Sequence, residues 1–266
     1  MPALVGGAAQ AQIASDHTGS GVSASSSTTL SWSHSVGAGS NRILLVGVSF
    51  RSDTASGGAG GNTIVTGATG VTFGAASLTC LGARDDNATG SCNTAGTGSP
   101  IFLRSEVWYL LNPTSQTANI TVTTNNATII GGNSASYSGV ASVASGGTNA
   151  SNNGQPGSTP ATLGPVTSPA GNLVFDNVGT ARSAAPLTSG NTALTNVQDA
   201  AGSSFHIDGA TSQSTATNPT MTWTLTGTVG PWAIVGAVLT PTATPSNKRK
   251  GQTIVSALLP RGGVGK

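Results

Sequence analysis

Apolar and polar residues alternate along most of this chain, a pattern typical of strands that bury one face. In TTLSWSHSV (28–36), Leu30, Trp32, His34 and Val36 alternate with serines, and TANITVTT (117–124) alternates in the same way. RILLVGVSF (42–50) is almost continuously apolar, which predicts a central strand covered on both faces. No segment shows the apolar stripe of a helix, so the pattern predicts an all-β fold.

Further strands are predicted wherever a short apolar or alternating run is bounded by Gly, Pro, Asn or Ser. They cover 70–82 (two short strands about a Gly-Ala-Ala turn), 105–113 (ending at the Asn112-Pro113 turn), 127–132, 172–179, 220–227 and 232–240. Strands at this spacing, without an exact repeat, favour a two-sheet β-sandwich with jelly-roll-like connectivity.

The composition changes twice along the chain and divides it into three parts. Residues 1–27 are predicted to form an N-terminal arm, 28–240 a single β-sandwich domain, and 241–266 an extended basic C-terminal tail. Within the domain, 138–171 is rich in Gly, Ser, Asn and Pro and is predicted to be a long surface loop. The strands that follow it are too few to close a separate core.

Charge is scarce and unevenly placed. Only 7% of residues are charged, against about 25% in an ordinary soluble domain. Residues 1–245 carry five arginines, no lysine and all eight acids, a net charge of −3, whereas 246–266 carry five basic residues and no acid. The tail is therefore electrostatically separate from a mildly acidic body.

The tail has two interpretations. One is a disordered terminus. The other is an assembly tail, whose apolar residues dock on a neighbouring subunit while its basic residues meet an acidic surface such as the body of another copy. The residues assigned to this role are Lys248, Arg249, Lys250, Ile254, Val255, Leu258, Leu259, Arg261 and Lys266.

Cys80 and Cys92 are the two cysteines of the chain. The first interpretation is a disulfide that closes the hydrophilic loop between them, and the second is a pair of reduced thiols. A bridge would indicate maturation in an oxidising compartment. Two cysteines cannot complete a structural zinc site, and His17, His34 and His206 have no ligand spacing, so we expect no metal and no other cofactor.

The loop between the cysteines also contains Asp85, Asp86 and Asn87, whose oxygens are of the type that binds calcium. Their spacing matches no EF-hand, so a solvated turn is favoured. The four tryptophans, Trp32, Trp108, Trp223 and Trp232, lie within strand patterns and are predicted to be core residues rather than a sugar-binding row.

Enzymatic function is not expected. The chain has one glutamate, Glu106, which its strand position predicts to be a structural partner of an arginine rather than a catalytic acid. It contains no G-x-S-x-G elbow and no phosphate-binding loop. An acidic body without interleaved aromatic and basic residues argues against nucleic acid as a partner, while glycan binding through an exposed aromatic residue stays open.

The chain also gives an expectation of location. Its first twenty residues lack a basic region and an apolar run, so the sequence predicts no secretory signal peptide. The sequence also contains no apolar stretch of 18 residues, so it predicts no membrane span. Yet the polar, almost lysine-free composition resembles that of proteins outside cells. A virion protein reconciles both observations, because it leaves the cell by lysis.

The segments NRILLVGVSFR, VTFGAASLTCLG, EVWYLLNPTSQTANITVT, YSGV and AGNLVFDNVG resemble a loosely defined group of uncharacterised β-sandwich domains. Such domains occur in bacterial surface proteins and in phage and environmental viral proteins. The resemblance spans about 30–239, rests on strand cores and turns, and implies no catalytic residues. It implies a surface-displayed structural or adhesive module.

These observations lead to one expectation and one alternative. We expect a non-enzymatic phage virion protein on the particle surface, either a capsid decoration (cement) or a fibre-type subunit. Its partners would be copies of itself and other virion proteins, with a host-surface glycan as a further candidate and no membrane. The alternative is a secreted bacterial adhesin, glycan-binding module or filament subunit, located outside the cell or on its surface.

Overall fold

The computed structural model describes residues 12–23, 27–51, 67–86, 92, 103–150, 160–181, 188–198, 207–225 and 231–243. These residues form sixteen β-strands and no α-helix, which confirms the all-β prediction. The strands are β1 (Ala14–Val22), β2 (Ser27–Val36), β3 (Ile43–Arg51), β4 (Ala68–Phe73), β5 (Ala76–Ser77), β6 (Thr79–Asp85), β7 (Leu103–Leu111), β8 (Gln116–Ser138), β9 (Val140–Ala150), β10 (Ala161–Leu163), β11 (Leu173–Ala181), β12 (Thr188–Ser189), β13 (Thr192–Gln198), β14 (Ile207–Ser214), β15 (Met221–Thr224) and β16 (Trp232–Pro241).

The strands form three antiparallel sheets rather than the two that were predicted. The largest has the order β5-β4-β8-β3-β7-β6, with β1 and β2 also paired to β8; the others have the orders β13-β14-β11-β16-β9 and β10-β15-β12. The β-sandwich class is confirmed at the level of packed antiparallel sheets. Its jelly-roll-like connectivity stays a prediction.

The largest sheet curls over itself because β8 is long and serves two layers. Its first half pairs with β2 and β4, and its second half pairs with β1 and β3. The sequence pattern predicted two separate strands here, at 117–124 and 127–132. We call the part with β2, β4 and the first half of β8 layer 1, and the part with β1, β3, β6, β7 and the second half of β8 layer 2.

The other two sheets complete a stack of four layers. Layer 3 is the five-stranded sheet and layer 4 the three-stranded one, and each interface between layers has its own apolar core. The strand β3 explains why its segment is almost continuously apolar. Leu44, Val46 and Val48 lie in the core between layers 1 and 2, whereas Ile43 and Leu45 lie in the core between layers 2 and 3.

Two segments for which the sequence pattern predicted no strand contain strands. Within the predicted loop 138–171, Val140–Ala150 forms β9, which pairs with β16, and Ala161–Leu163 forms β10. Within the predicted arm 1–27, Ala14–Val22 forms β1, which pairs with β8. Both β1 and β9 border a sheet and are mostly exposed, so backbone hydrogen bonds hold them without the apolar alternation that reveals a buried strand.

All four layers run between the same two ends, which we call the base and the tip. The base contains the turns at Asn41, Asn112 and Gly139, joined by backbone hydrogen bonds such as Asn112 N to Arg42 O at 2.7 Å. The tip is the end at which β3 stops at Arg51. The three widest gaps between described strands, 52–67, 86–102 and 151–160, all open and close at strand ends of the tip.

Candidate functional site

Both described ends of the chain meet at one residue of the base. Thr242 N donates to Gly139 O at 2.8 Å, and a Cβ on Gly139 would lie 2.9 Å from Gln12 O. Gly139 has φ = +77°, a conformation that glycine adopts without strain. The turn between β8 and β9 therefore holds the start of β1 and the end of β16 together, and the segments 1–11 and 244–266 continue from this end.

A chain of polar side chains lies beside this point and connects layers 1 and 2. Trp32 Nε1 donates to Ser134 Oγ at 3.1 Å, and Ser134 Oγ lies 2.9 Å from His34 Nδ1. His34 Nε2 lies 3.2 Å from Ser136 Oγ, which donates to Asp16 Oδ2 at 2.9 Å. The carboxylate of Asp16 can only accept, so the Ser136 hydroxyl uses its single proton to donate to it. Ser136 must then accept from His34 Nε2. A neutral His34 therefore carries its proton on Nε2 and accepts at Nδ1 from Ser134.

The environment of His34 keeps it neutral. The ring is 2% exposed and lies edge-on to Phe73, with the ring centroids 6.3 Å apart. Burial lowers the pKa of His34 to about 4, and the nearby charge of His17 acts in the same direction, while Asp16 opposes it. His34 is therefore a neutral hydrogen-bonding core residue above about pH 5.

Asp16 and His17 are brought to the same side of β1 by an irregularity in the strand register between Ser15 and Thr18. Asp16 Oδ1 lies 2.7 Å from His17 Nδ1, and Gly37 N donates to Asp16 Oδ2 at 2.6 Å. Burial alone would raise the pKa of Asp16, but hydrogen bonds from Gly37 and Ser136 and the proximity of His17 lower it.

This group contains serine, histidine and aspartate, yet its geometry is structural. Ser136 is 1% exposed, and its hydroxyl is shared between His34 and Asp16. A cleft of about 90 Å³ lies beside it, lined by parts of β1 and β8 and by Leu194. The hydrogen bonds of Ser136 with His34 and Asp16 fix β1 onto β8 and β2. Sequence reasoning placed Trp32 and His34 on a buried face; nothing in the pattern indicated Asp16, Ser134 or Ser136.

The predicted disulfide is present. Cys80 and Cys92 are bonded, with their Cα atoms 5.9 Å apart. Cys80 lies on β6 and packs against the core between layers 1 and 2. The bridge therefore ties a position outside the strands to a strand of layer 2.

Removing this bridge with the double substitution Cys80→Ala and Cys92→Ala should lower the free energy of unfolding by about 3 kcal/mol, because the unfolded chain regains the freedom of the closed loop. Urea unfolding of the oxidised wild type and of the variant measures the loss. Reductant should shift the wild-type midpoint toward that of the variant and leave the variant unchanged. An unshifted wild-type midpoint would contradict the prediction.

Glu106 is the structural partner of an arginine, as predicted. Its Oε1 accepts from Arg104 Nε at 2.6 Å, and its Oε2 accepts from Trp108 Nε1 at 2.7 Å. Arg104 also donates to Asp85 Oδ1 at 2.7 Å, and the side chains of all three charged residues are fully buried. Burial raises the pKa of Glu106, while the charge of Arg104 lowers it in part.

The prediction of a solvated turn at Asp85 and Asp86 was wrong, because both residues are fully buried. Asp85 is the last residue of β6 and faces Arg104 across the pair with β7. Local pattern carries no sign of this, since the partner lies nineteen residues away. Asn87 lies outside the described residues. No cluster of three or more potential metal ligands occurs among the residues that the structure describes.

A second buried carboxylate lies between layers 3 and 4. Asp176 Oδ1 accepts from the backbone N and the hydroxyl of Ser212 at 2.8 and 2.7 Å, and its Oδ2 accepts from Trp223 Nε1 at 2.8 Å. Burial raises the pKa of Asp176 to about 6, against these hydrogen bonds. All four tryptophans are buried, which confirms their assignment to the core.

The distribution of buried acids changes the interpretation of the charge on the body. Asp85, Asp86, Glu106 and Asp176 are fully buried, so they offer no acidic surface to a basic tail. Asp16 retains 22% side-chain exposure. The tail residues assigned to assembly, 248–250, 254, 255, 258, 259, 261 and 266, lie outside the described residues.

Comparisons with known proteins give no relative. No family model, curated protein or solved structure was found to match the chain. In the described part of the chain, no helix has the length and apolar character needed to cross a membrane.

Proposed function

We propose that this chain is a non-enzymatic structural protein on the surface of a phage virion, a capsid decoration or fibre-type subunit. Its terminal segments hold it to neighbouring subunits. The supporting observation is the separation of the two ends of the fold: both described ends of the chain lie at Gly139 of the base, and the three widest gaps between described strands open at the tip. A subunit anchored through its termini would present its tip outward.

The network of Trp32, His34, Ser136 and Asp16 supports the same proposal. It ties β1 to β2 and β8 close to the point where the N-terminal segment leaves the sandwich. A subunit pulled by its terminal segment needs the first strand to be fixed, and buried hydrogen bonds across layers provide such an attachment.

Truncation after Ala243 tests the anchoring role. Thr242 N, which bonds Gly139 O, is retained, so we expect an unchanged thermal unfolding midpoint and complete loss of self-association or particle binding. Native mass spectrometry of the full chain and of the truncated chain reports the oligomeric state, and proteomics of purified particles reports incorporation. A truncated chain that assembles like the full chain, or a full chain that stays monomeric and absent from particles, would refute the proposal.

The disulfide favours a second candidate, a secreted bacterial adhesin, glycan-binding module or filament subunit. A bond between Cys80 and Cys92 persists in oxidising surroundings, such as those outside a bacterial cell. Retention of the purified protein on a glycan array, together with its absence from virus particles, would select this candidate over the first.

A further inference from the structure

Leu111 is the one large apolar side chain that is exposed among the described residues, at 42%. It ends β7 at the base, where the next residue bonds Arg42. Tyr109, two residues earlier, lies on the same face of β7 and is partly buried against the core between layers 2 and 3. Leu81 and Val143 are partly buried against the same core. We call these four residues the apolar margin.

Charge is scarce at the apolar margin: Arg42, whose backbone bonds Asn112, has its guanidinium bonded to Pro113 O and Gly39 O. The strand β9 contains no ionisable side chain, and β7 contains no charged residue after Glu106. The charged residues of β6, Arg84 and Asp85, lie at its tip end. An occupant of this margin would therefore be bound through apolar side chains and the backbone.

A segment of the chain itself has matching chemistry and starts nearby. The last described residues leave the sandwich where Thr242 bonds Gly139, and Gly139 N in turn donates to Ser40 O at 2.9 Å. The turn that follows Leu111 is bonded to the same segment, because Asn112 N donates to Arg42 O, two residues after Ser40. Beyond Ala243 the chain carries an apolar run, 254–259, with the sequence IVSALL.

The length of the spacer between them sets how far this run can reach. Residues 244–253 are ten in number and include Pro245 and the cluster Lys248, Arg249 and Lys250. Ten residues span at most about 35 Å, which is long enough for the run to reach a neighbouring copy.

We propose that residues 254–259 of a neighbouring copy dock on the apolar margin formed by β6, β7 and β9. This inference rests on the proposed assembly function and names the surface on which the tail binds. Apolar contacts seat the run, and the basic cluster lies outside the margin, where it remains free for solvent or another virion protein.

Site-specific photo-cross-linking in the full chain tests the proposal. A benzophenone amino acid replaces Leu111, and a matched control places it at Ser33, which is exposed on layer 1. Trypsin releases the tail run as a single peptide, 251–261, because Lys250 and Arg261 flank it. With isotopically heavy and light chains mixed and co-assembled, position 111 should give heavy–light products with this peptide, and position 33 should give none.

The outcomes separate the two proposals. Cross-links from 111 to 251–261 within one chain, or oligomers in which 111 does not reach 251–261, would overturn the docking surface and leave the assembly function standing. A full chain that forms no oligomer and is also absent from purified particles would overturn both. As a second readout, Leu111→Ser and the double substitution Leu258→Ser and Leu259→Ser should each weaken association at least tenfold, and combining them should add little because they remove the same contact.

Discussion

Replacing Arg104 by methionine should lower the free energy of unfolding by about 3 to 5 kcal/mol, the usual cost of removing one member of a buried charge network. The guanidinium bonds both Asp85 and Glu106, at 2.7 and 2.6 Å, and all three side chains are fully buried. Without it, two carboxylates would remain in a site from which water is excluded.

Urea unfolding at pH 7, with the disulfide intact, measures this loss. Arg42→Met is the matched control, because it removes the same charge from a partly buried base residue that bonds only backbone carbonyls, Pro113 O and Gly39 O. We expect the control to lose about 1 kcal/mol or less. Equal losses in free energy of unfolding would show that removing a charge from the buried network costs no more than removing one from the base, which would contradict the prediction.

The substitution His34→Gln should change the pH dependence of stability by about 3 kcal/mol between pH 6.5 and pH 4. In the folded protein the pKa of His34 is lowered to about 4 from 6.5. The unfolded chain therefore binds more protons in this window, so the contribution of His34 is complete above pH 6.5 and is lost as the pH falls toward 4. Glutamine does not titrate and can hydrogen-bond both Ser134 and Ser136.

The wild type should nevertheless show a shallow profile in this window, because Asp176 acts in the opposite direction. Its pKa is raised to about 6 from 3.8, so the folded state binds more protons between these values and gains stability as the pH falls. Both proteins contain Asp176, so the difference between them comes from His34 alone. The His34→Gln variant should become more stable, relative to wild type, as the pH is lowered.

Urea midpoints at pH 4, 5, 6 and 7 give both profiles. Ser33→Gln is the control, because it changes an exposed, uncharged position next to His34 on the same strand, and its profile should stay close to that of the wild type. A stability difference between wild type and His34→Gln that does not vary with pH would show that the pKa of His34 is the same in the folded and unfolded states, and would contradict the prediction.

The sequence predicted the features that depend on local pattern. Alternation identified the strands around Trp32 and Ile120, both of which are buried, and the continuous apolar run identified β3 as the strand covered on both faces. The position of Glu106 within the strand pattern of β7 predicted its structural role. In each case the required information lies within a few neighbouring residues.

The sequence did not predict features that depend on which strands meet. The edge strands β1 and β9 are mostly exposed, so their sequences carry no burial pattern. Asp16 and Ser136 are separated by 120 positions, and only the pairing of β1 with β8 brings them together. The close approach of layers 2 and 3 at Gly47, where a Cβ would lie 2.3 Å from Asn177 Oδ1, likewise follows from packing.

The shared strand β8 also sets the order of events during synthesis. β1, β2, β3 and β4 all pair with it, yet β8 begins only at Gln116. At about 5 to 20 residues per second, a nascent chain would hold four strands without this partner for several seconds. Pairings over such sequence distances form slowly, so heterologous production should give more soluble protein when translation is slowed by low temperature or when chaperones that bind exposed strands are abundant.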